Sequence, residues 1–356
     1  MRLRVHIGTE KTGSSHLQTL AACGRDSLSA AGLHFPYGWR HDEHSMLSGR
    51  ISAGNARLLA QAVDRESWGD VGSSLVKVHH QASGARSGQV LLSSEWLLSA
   101  LSVEGRLGRF RRAAKDAGFT EVDFALVLRD PLDQCLSLYK HRAKRGTAGT
   151  ILKWCSKGYT LPRELSGFRE QIERDGIDLS VWKYKREPGR LEWDFFAKWL
   201  GVRVPEMSLP STVNASPTLS ELALIRHVAA QRPALVQPLY TALMKVPTGK
   251  KLQGKELAAH ASTVAAEAVA HFEEEWRAWN QRLPEDEELT IPAVPSEVSV
   301  SPDEVAFSEK QLQAIGHLMG SLVAPGTLVR LVWWSRLRPI LSRVKRATVA
   351  RGSAEF

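Results

Sequence analysis

The chain has 356 residues, 43% of them hydrophobic and 24% charged, proportions expected of an ordinary soluble globular protein and not of a disordered or membrane-embedded one. That length accommodates one large α/β domain or two smaller ones. Lysine and arginine exceed aspartate and glutamate by nine, which points to an anionic partner (nucleic acid, a phosphorylated small molecule, an acidic polymer or a membrane surface) without choosing among them.

Residues 3–7 are short and partly β-branched and read as a strand, 8–15 as a polar loop with glycines, and 16–31 as a helix. This is the opening of a nucleotide-binding βα unit. Residues 53–65 and 71–85 read as helices, 89–94 as a second buried strand and 101–117 as another helix. An apolar strand over 122–128 is ended by Arg129-Asp130-Pro131 and followed by a helix over 132–145. Strands alternating with helices at this spacing predict a parallel sheet with helices on its faces. A helix from Pro162 to Arg174, a strand at 179–184 and a helix near 191–200 closed by Gly201 continue the pattern. Beyond Ser220 no strand is expected. Residues 219–231, 255–281 and 308–322 have helical character, and the proline-rich acidic stretch 284–302 reads as a linker or surface loop.

The informative stretch is Ile7-Gly8-Thr9-Glu10-Lys11-Thr12-Gly13-Ser14-Ser15-His16-Leu17-Gln18. A loop that leaves a strand and feeds a helix N-terminus offers backbone N–H groups and a dipole suited to an anion, and Lys11 adds a positive charge. It is not a Walker A loop, where the lysine directly follows the second glycine, because Lys11 precedes Gly13. That departure, with no acidic magnesium ligand in the expected place, argues against a nucleotide or small-molecule kinase.

The run Lys11-Thr12-Gly13-Ser14-Ser15-His16-Leu17 resembles the K-x-G-T-x-x-L loop of sulfotransferases that use 3′-phosphoadenosine 5′-phosphosulfate (PAPS), with Ser14 in place of the usual threonine. Val127-Leu128-Arg129-Asp130-Pro131, followed by Ser137 and Tyr139, resembles the strand-end arginine and later serine that bind the 3′-phosphate in that family. Gly32-Leu33-His34-Phe35-Pro36, His44, Leu92-Ser93-Ser94-Glu95 and Asn214-Ala215-Ser216 resemble a divergent bacterial branch, and the likeness fades past about residue 230. The resemblance implies a three-layer P-loop-like α/β core with a parallel sheet over residues 1–210. A helical extension over 211–328 and a basic tail over 329–356 complete the expected organisation. It further implies that Lys11, Thr12, Gly13, Ser14 and Ser15 hold the 5′-phosphosulfate, that Arg129 and Ser137 hold the 3′-phosphate, and that Lys11 stabilises the leaving group. No metal is required.

The acceptor hydroxyl, or less readily an amine, needs a general base. Glu95 is the first candidate, because it directly follows a strand and should stand at the ligand-binding edge of the sheet, and His44 is the second. The alternatives are a carboxylate favoured by a helix dipole for Glu95 and a solvated loop histidine for His44. His41-Asp42-Glu43-His44 imitates a metal site but lacks a third ligand at suitable spacing, so a solvated polar loop is the expectation. His79-His80 is expected at the surface, and Trp193, Phe195, Phe196 and Trp199 on one helix face in the core. Neither Ser93 nor Ser94 sits in a G-x-S-x-G elbow.

Cys23, Cys135 and Cys155 form no CxxC pair, which removes zinc and dithiol chemistry of that kind and predicts a reduced, cytoplasmic compartment. The N-terminus turns polar too soon for a signal peptide, and residues 315–334 are interrupted by His317, Gly320, Pro325, Gly326 and Arg330, against a membrane span. From Val329 on, seven basic residues face one acid, Glu355. Most of the surplus charge therefore lies in a basic amphipathic tail that either meets an anionic membrane surface peripherally or packs on the domain. The expected partner is a small-molecule, glycan or lipid acceptor, not nucleic acid.

Overall fold

The computed structural model describes residues 1–185, 187–206, 216–252, 254–293 and 305–322. The basic tail, and Asn214-Ala215 of the third resembling segment, lie outside them. Within the described residues the chain divides into two units that are not contiguous in sequence. The first comprises Met1–Gln134, Tyr159–Val213 and Val269–Pro292, and the second Cys135–Gly158, Asn214–Ala268 and the chain from Ala293 on.

The first unit is built on one sheet of five strands, β1 (Arg2–Gly8), β2 (Leu33–His34), β3 (Gln89–Ser94), β4 (Glu121–Leu128) and β5 (Leu179–Lys183), in the order β2-β3-β1-β4-β5. Every neighbouring pair is parallel, as the alternation of strands and helices predicts. Register pairs Val5 with Leu92 and Phe124, and His6 with Ser93 and Ala125. Because side chains alternate across a strand, Leu3, Val5 and Ile7 share one face with Phe124 and Leu126. Arg4 and His6 share the other with Leu91, Ala125 and Val127.

Eight helices precede residue 144: α1 (Ser14–Cys23), α2 (Arg25–Ala30), α3 (Arg40–Leu47), α4 (Arg57–Asp64), α5 (Trp68–Gly84), α6 (Trp96–Leu101), α7 (Arg106–Asp116) and α8 (Pro131–Ala143). On the face of His6, Leu17 and Leu20 of α1 pack with Leu91, Val127, Trp182, Phe195, Phe196 and Trp199. On the opposite face Phe110 of α7 and Phe168 of the helix Leu161–Arg174 approach Phe124 at 6.3 and 6.4 Å between ring centroids. Helices cover both faces, which is why the strands read as near-continuous apolar runs.

Several expectations are corrected. The helix anticipated over 16–31 breaks at Gly24 into α1 and α2, and the one over 101–117 gives way to α6 and α7 on either side of a turn ending at Gly105. The segment 255–281 forms two helices, Lys255–Ala270 and Glu273–Asn280. The segment 191–200 is a π-helical turn over Trp193–Trp199, where Phe195, Phe196 and Trp199 are buried but Trp193 is half exposed, under the Arg190 guanidinium. His41-Asp42-Glu43-His44 is helix α3 and not a loop. Asp42 is buried and pairs with Arg57 at 3.4 Å, and Glu43 forms a two-pronged pair with Arg25 at 2.9 and 3.1 Å. His79 is half-buried, edge-on to Phe119.

In the second unit, the helix Leu219–Gln231 starts with a capping box. Thr218 Oγ1 accepts from the Glu221 N–H at 3.1 Å and Glu221 Oε2 accepts from the Thr218 N–H at 2.8 Å. The same carboxylate, fully buried, also accepts from Lys251 Nζ at 3.1 Å and Gln311 Nε2 at 2.8 Å. No helix among the described residues is long and apolar enough to cross a membrane.

Removing Glu221 strands the Lys251 charge in a site where its side chain is 1% exposed. Glu221→Ala should therefore lower the unfolding free energy by about 3 kcal/mol, with Glu221→Gln intermediate. Urea denaturation reads this directly, and an unchanged midpoint in the alanine variant would refute it.

Candidate functional site

The connection leaving β1 runs toward β2, and the one leaving β4 runs toward β5. In an open parallel sheet, chains departing in opposite directions leave a crevice outside the carboxyl ends of the strands, here between β1 and β4. The 8–15 loop and Arg129 stand at those two ends.

The loop is wound tightly. Thr9 and Thr12 are fully buried, Thr9 Oγ1 donates to the Val127 carbonyl at 2.8 Å, and Thr12 Oγ1 donates to the Thr9 carbonyl at 2.7 Å. Two residues adopt the left-handed conformation, Lys11 at φ 71° and Gly13 at φ 85°. Gly13 requires it doubly, since a Cβ there would stand 2.5 Å from Leu191 Cδ2 and 3.2 Å from the Tyr184 ring. Lys11 bears a side chain in a conformation that costs about 1 kcal/mol or more, the kind of local strain that persists where surrounding contacts over-determine it.

Those contacts come from the first turn of α8 and from Arg129, just after β4. Arg129 Nη1 donates to the Lys11 carbonyl at 3.2 Å, and Gln134 Nε2 donates to the Glu10 carbonyl at 2.9 Å and to Thr9 Oγ1 at 3.0 Å. Arg129 also pairs with Asp133 at 3.1 Å and lies 5.7 Å from the Tyr184 ring centroid. Asp130 turns the other way, to Lys183 Nζ and the Thr290 N–H, both at 2.7 Å. Gln134, Tyr184 and Leu191 carry no sequence signal for this role: one is a glutamine in a helix, and the other two lie some 170 residues beyond the loop.

Gly13 is the N-cap of α1 and supplies no side-chain acceptor for its first-turn amides. With Ser14 buried, Ser15 half-buried and Lys11 half-buried in the same turn, this end of α1 has the donor set of an anion cradle. The residues therefore suit a phosphosulfate chemically.

Glu95 is brought to the same place. It directly follows β3, next to β1, and is the N-cap residue of α6, and its Cγ lies 3.2 Å from where a Cβ on Gly8 would stand; Ser14 Oγ lies 2.5 Å from that point. Gly8 is thus the close approach that lets Glu95 and Ser14 sit side by side. The two other candidates differ. His44 is exposed on α3 and takes part in neither ion pair of the α3 carboxylates. Ser137 is half-buried on α8, on the part of that helix that belongs to the second unit.

Beneath the loop lies a buried polar chain that sequence reading missed. His6 Nδ1 meets Ser93 Oγ at 2.9 Å, Gln18 Nε2 donates to the same hydroxyl at 3.1 Å, and Ser52 Oγ donates to Gln18 Oε1 at 2.7 Å. Ser93 Oγ and His6 Nδ1 share one hydrogen bond whose direction is set by the imidazole tautomer, and the other ring nitrogen is Nε2. That nitrogen is buried without a partner among the described residues, and the ring is edge-on to Phe195 at 4.9 Å. Burial pushes the His6 pKa down to about 3.

Among the described residues, no group of three or more His, Cys, Asp or Glu side chains is arranged to hold a metal ion. No family model, no curated protein and no solved structure matches the chain.

His6 makes stability fall with acid. Its pKa is depressed in the folded chain, from 6.5 to about 3, so below pH 6.5 the unfolded chain gains a proton that the folded one refuses. Stability should decline by ~1.4 kcal/mol per pH unit from this group between those values. Urea unfolding between pH 7 and 4 should show a slope shallower by one proton in His6→Gln, and parallel slopes would refute the assignment.

Proposed function

We propose that this chain is a PAPS-dependent sulfotransferase, moving a sulfuryl group to an acceptor hydroxyl. One observation carries the reading: three adjacent strands, β3, β1 and β4, end in Glu95, the Lys11 loop and Arg129, with Arg129 hydrogen-bonded to that loop. The motif likeness of the Lys11–Ser15 and Arg129 segments supports it, and all three groups belong to the first unit.

When bound, PAPS supplies an activated sulfuryl group on a phosphate leaving group. Lys11 and the first-turn amides of α1 would hold the 5′-phosphosulfate end, and Arg129 the 3′-phosphate by charge-assisted hydrogen bonds. Glu95 would accept the acceptor's hydroxyl proton as the sulfuryl group is transferred. The Lys11 ammonium would stabilise the charge that collects on the leaving phosphate. The left-handed backbone at Lys11 fixes where that side chain leaves the loop. The compartment proposed for this activity is cytoplasmic, with the tail beyond Val329 as a peripheral membrane contact.

Calorimetry with 3′-phosphoadenosine 5′-phosphate should show binding that weakens at least tenfold in Arg129→Ala; a preference for ATP would sink the cofactor assignment. Glu95→Gln should retain that binding while sulfate transfer from radiolabelled PAPS falls roughly a hundredfold or more. Near-normal transfer in Glu95→Gln would return the base to His44 or another group.

A further inference from the structure

Directly after Glu95, the surface carries an assembly that the transfer chemistry does not use. The Arg57 guanidinium, at the start of α4, lies over two indoles, 5.1 Å from the Trp39 ring centroid and 5.0 Å from the Trp96 ring centroid. Both tryptophans remain about half exposed, at 49% and 44%. Arg57 is anchored by Asp42 at 3.4 Å, and its Nε is buried with no partner among the described residues. Trp39 is the N-cap of α3 and Trp96 opens α6. Both follow the carboxyl ends of strands, β2 and β3, on the same edge of the sheet as Gly8. Two residues before Trp39, Tyr37 is 72% exposed, with the Arg25 guanidinium 4.0 Å from its ring centroid.

Two flat, half-exposed indoles gathered on one planar cation do not form a trough for an acyl chain. They suit rings whose C–H faces pack on indole while their hydroxyls reach polar groups at the edges, which is the chemistry of pyranosides. Charge narrows the class. The acids of α3, Asp42 and Glu43, are taken up by Arg57 and Arg25, whereas Arg40, the first residue of α3, and Arg50, just beyond it, are exposed and make no ion pair among the described residues. An occupant with negative charge matches that surplus.

We infer that the Trp39–Arg57–Trp96 ladder is the acceptor subsite and that it takes an acidic oligosaccharide, presenting a sugar hydroxyl to Glu95. The assignment of the subsite as an acceptor site rests on the sulfotransferase reading; the saccharide binding itself does not. The test uses the full chain and a galacturonate hexamer as probe, followed by saturation-transfer NMR and calorimetry, with cellohexaose and phosphatidylglycerol vesicles as comparators. The hexamer should bind at least tenfold more tightly than cellohexaose. Trp39→Ala and Trp96→Ala should each weaken it at least tenfold, and Trp96→Phe should restore most of the loss. Circular dichroism and thermal melting verify that the variants fold.

Hexamer binding that both alanine variants retain, as binding by the basic tail would be, overturns the inference. So does equal affinity for cellohexaose, or binding to vesicles that the tryptophan variants lose while no saccharide binds. Titration with 3′-phosphoadenosine 5′-phosphate is run separately on the same samples. Saccharide binding with no nucleotide binding fails the sulfotransferase reading and leaves the ladder as a saccharide site, and the reverse result fails the ladder alone.

Discussion

The arrangement depends on β1 being paired on both edges. A strand hydrogen-bonded to β3 on one side and β4 on the other has no freedom of register, because a shift by one residue would turn Leu3, Val5 and Ile7 toward the face that now holds His6. The end of β1 is therefore a fixed point. Glu95 and Arg129, at the ends of its two neighbours, inherit their spacing from the sheet and not from the loops. A site assembled on rigid elements in this way holds its groups in place without help from a ligand.

Rigidity here has an internal cost. His6, Ser93, Gln18 and Ser52 place polar atoms under the loop where aliphatic side chains would pack with less loss, and one imidazole nitrogen is left without a hydrogen-bond partner among the described residues. What the chain gains is a directional tie. Gln18 joins α1 to β3 through Ser93, and Ser52 adds the segment that leads into α4. The helix whose first turn forms the cradle is thereby linked by hydrogen bonds to the strand that ends in Glu95.

The central strands were legible because buried parallel strands are written as unbroken apolar runs; β3 was read to the residue and β1 and β4 to within one at each end. β2 was not, since two residues carry no periodicity. The helix breaks at Gly24 and before Gly105 escaped for different reasons: Pro205, far along the chain, packs against Gly24, whereas Gly105 turns left-handed by itself with nothing packed against it among the described residues. Helix α3 was mistaken for a loop on account of its polarity, whereas its two carboxylates are neutralised by Arg25 and Arg57, 18 and 15 residues away. At the site, Lys11 and Arg129 were found through motifs and Glu95 through its place after a strand. Gln134 and the wall formed by Tyr184 and Leu191 could not be, because their role exists only once the chain has folded back.

That wall bears on how the protein is made. The hydrogen of Gly13 faces Leu191 and the Tyr184 ring, so the turn at the start of the chain is closed by residues synthesised much later. A nascent chain that has emerged only through β4 possesses the loop, the central strands and Arg129, yet lacks the surface against which the loop is pressed. The cradle is thus completed late in translation, after the β5 region has left the ribosome, and truncated translation products ending before it carry the whole motif without its buttress.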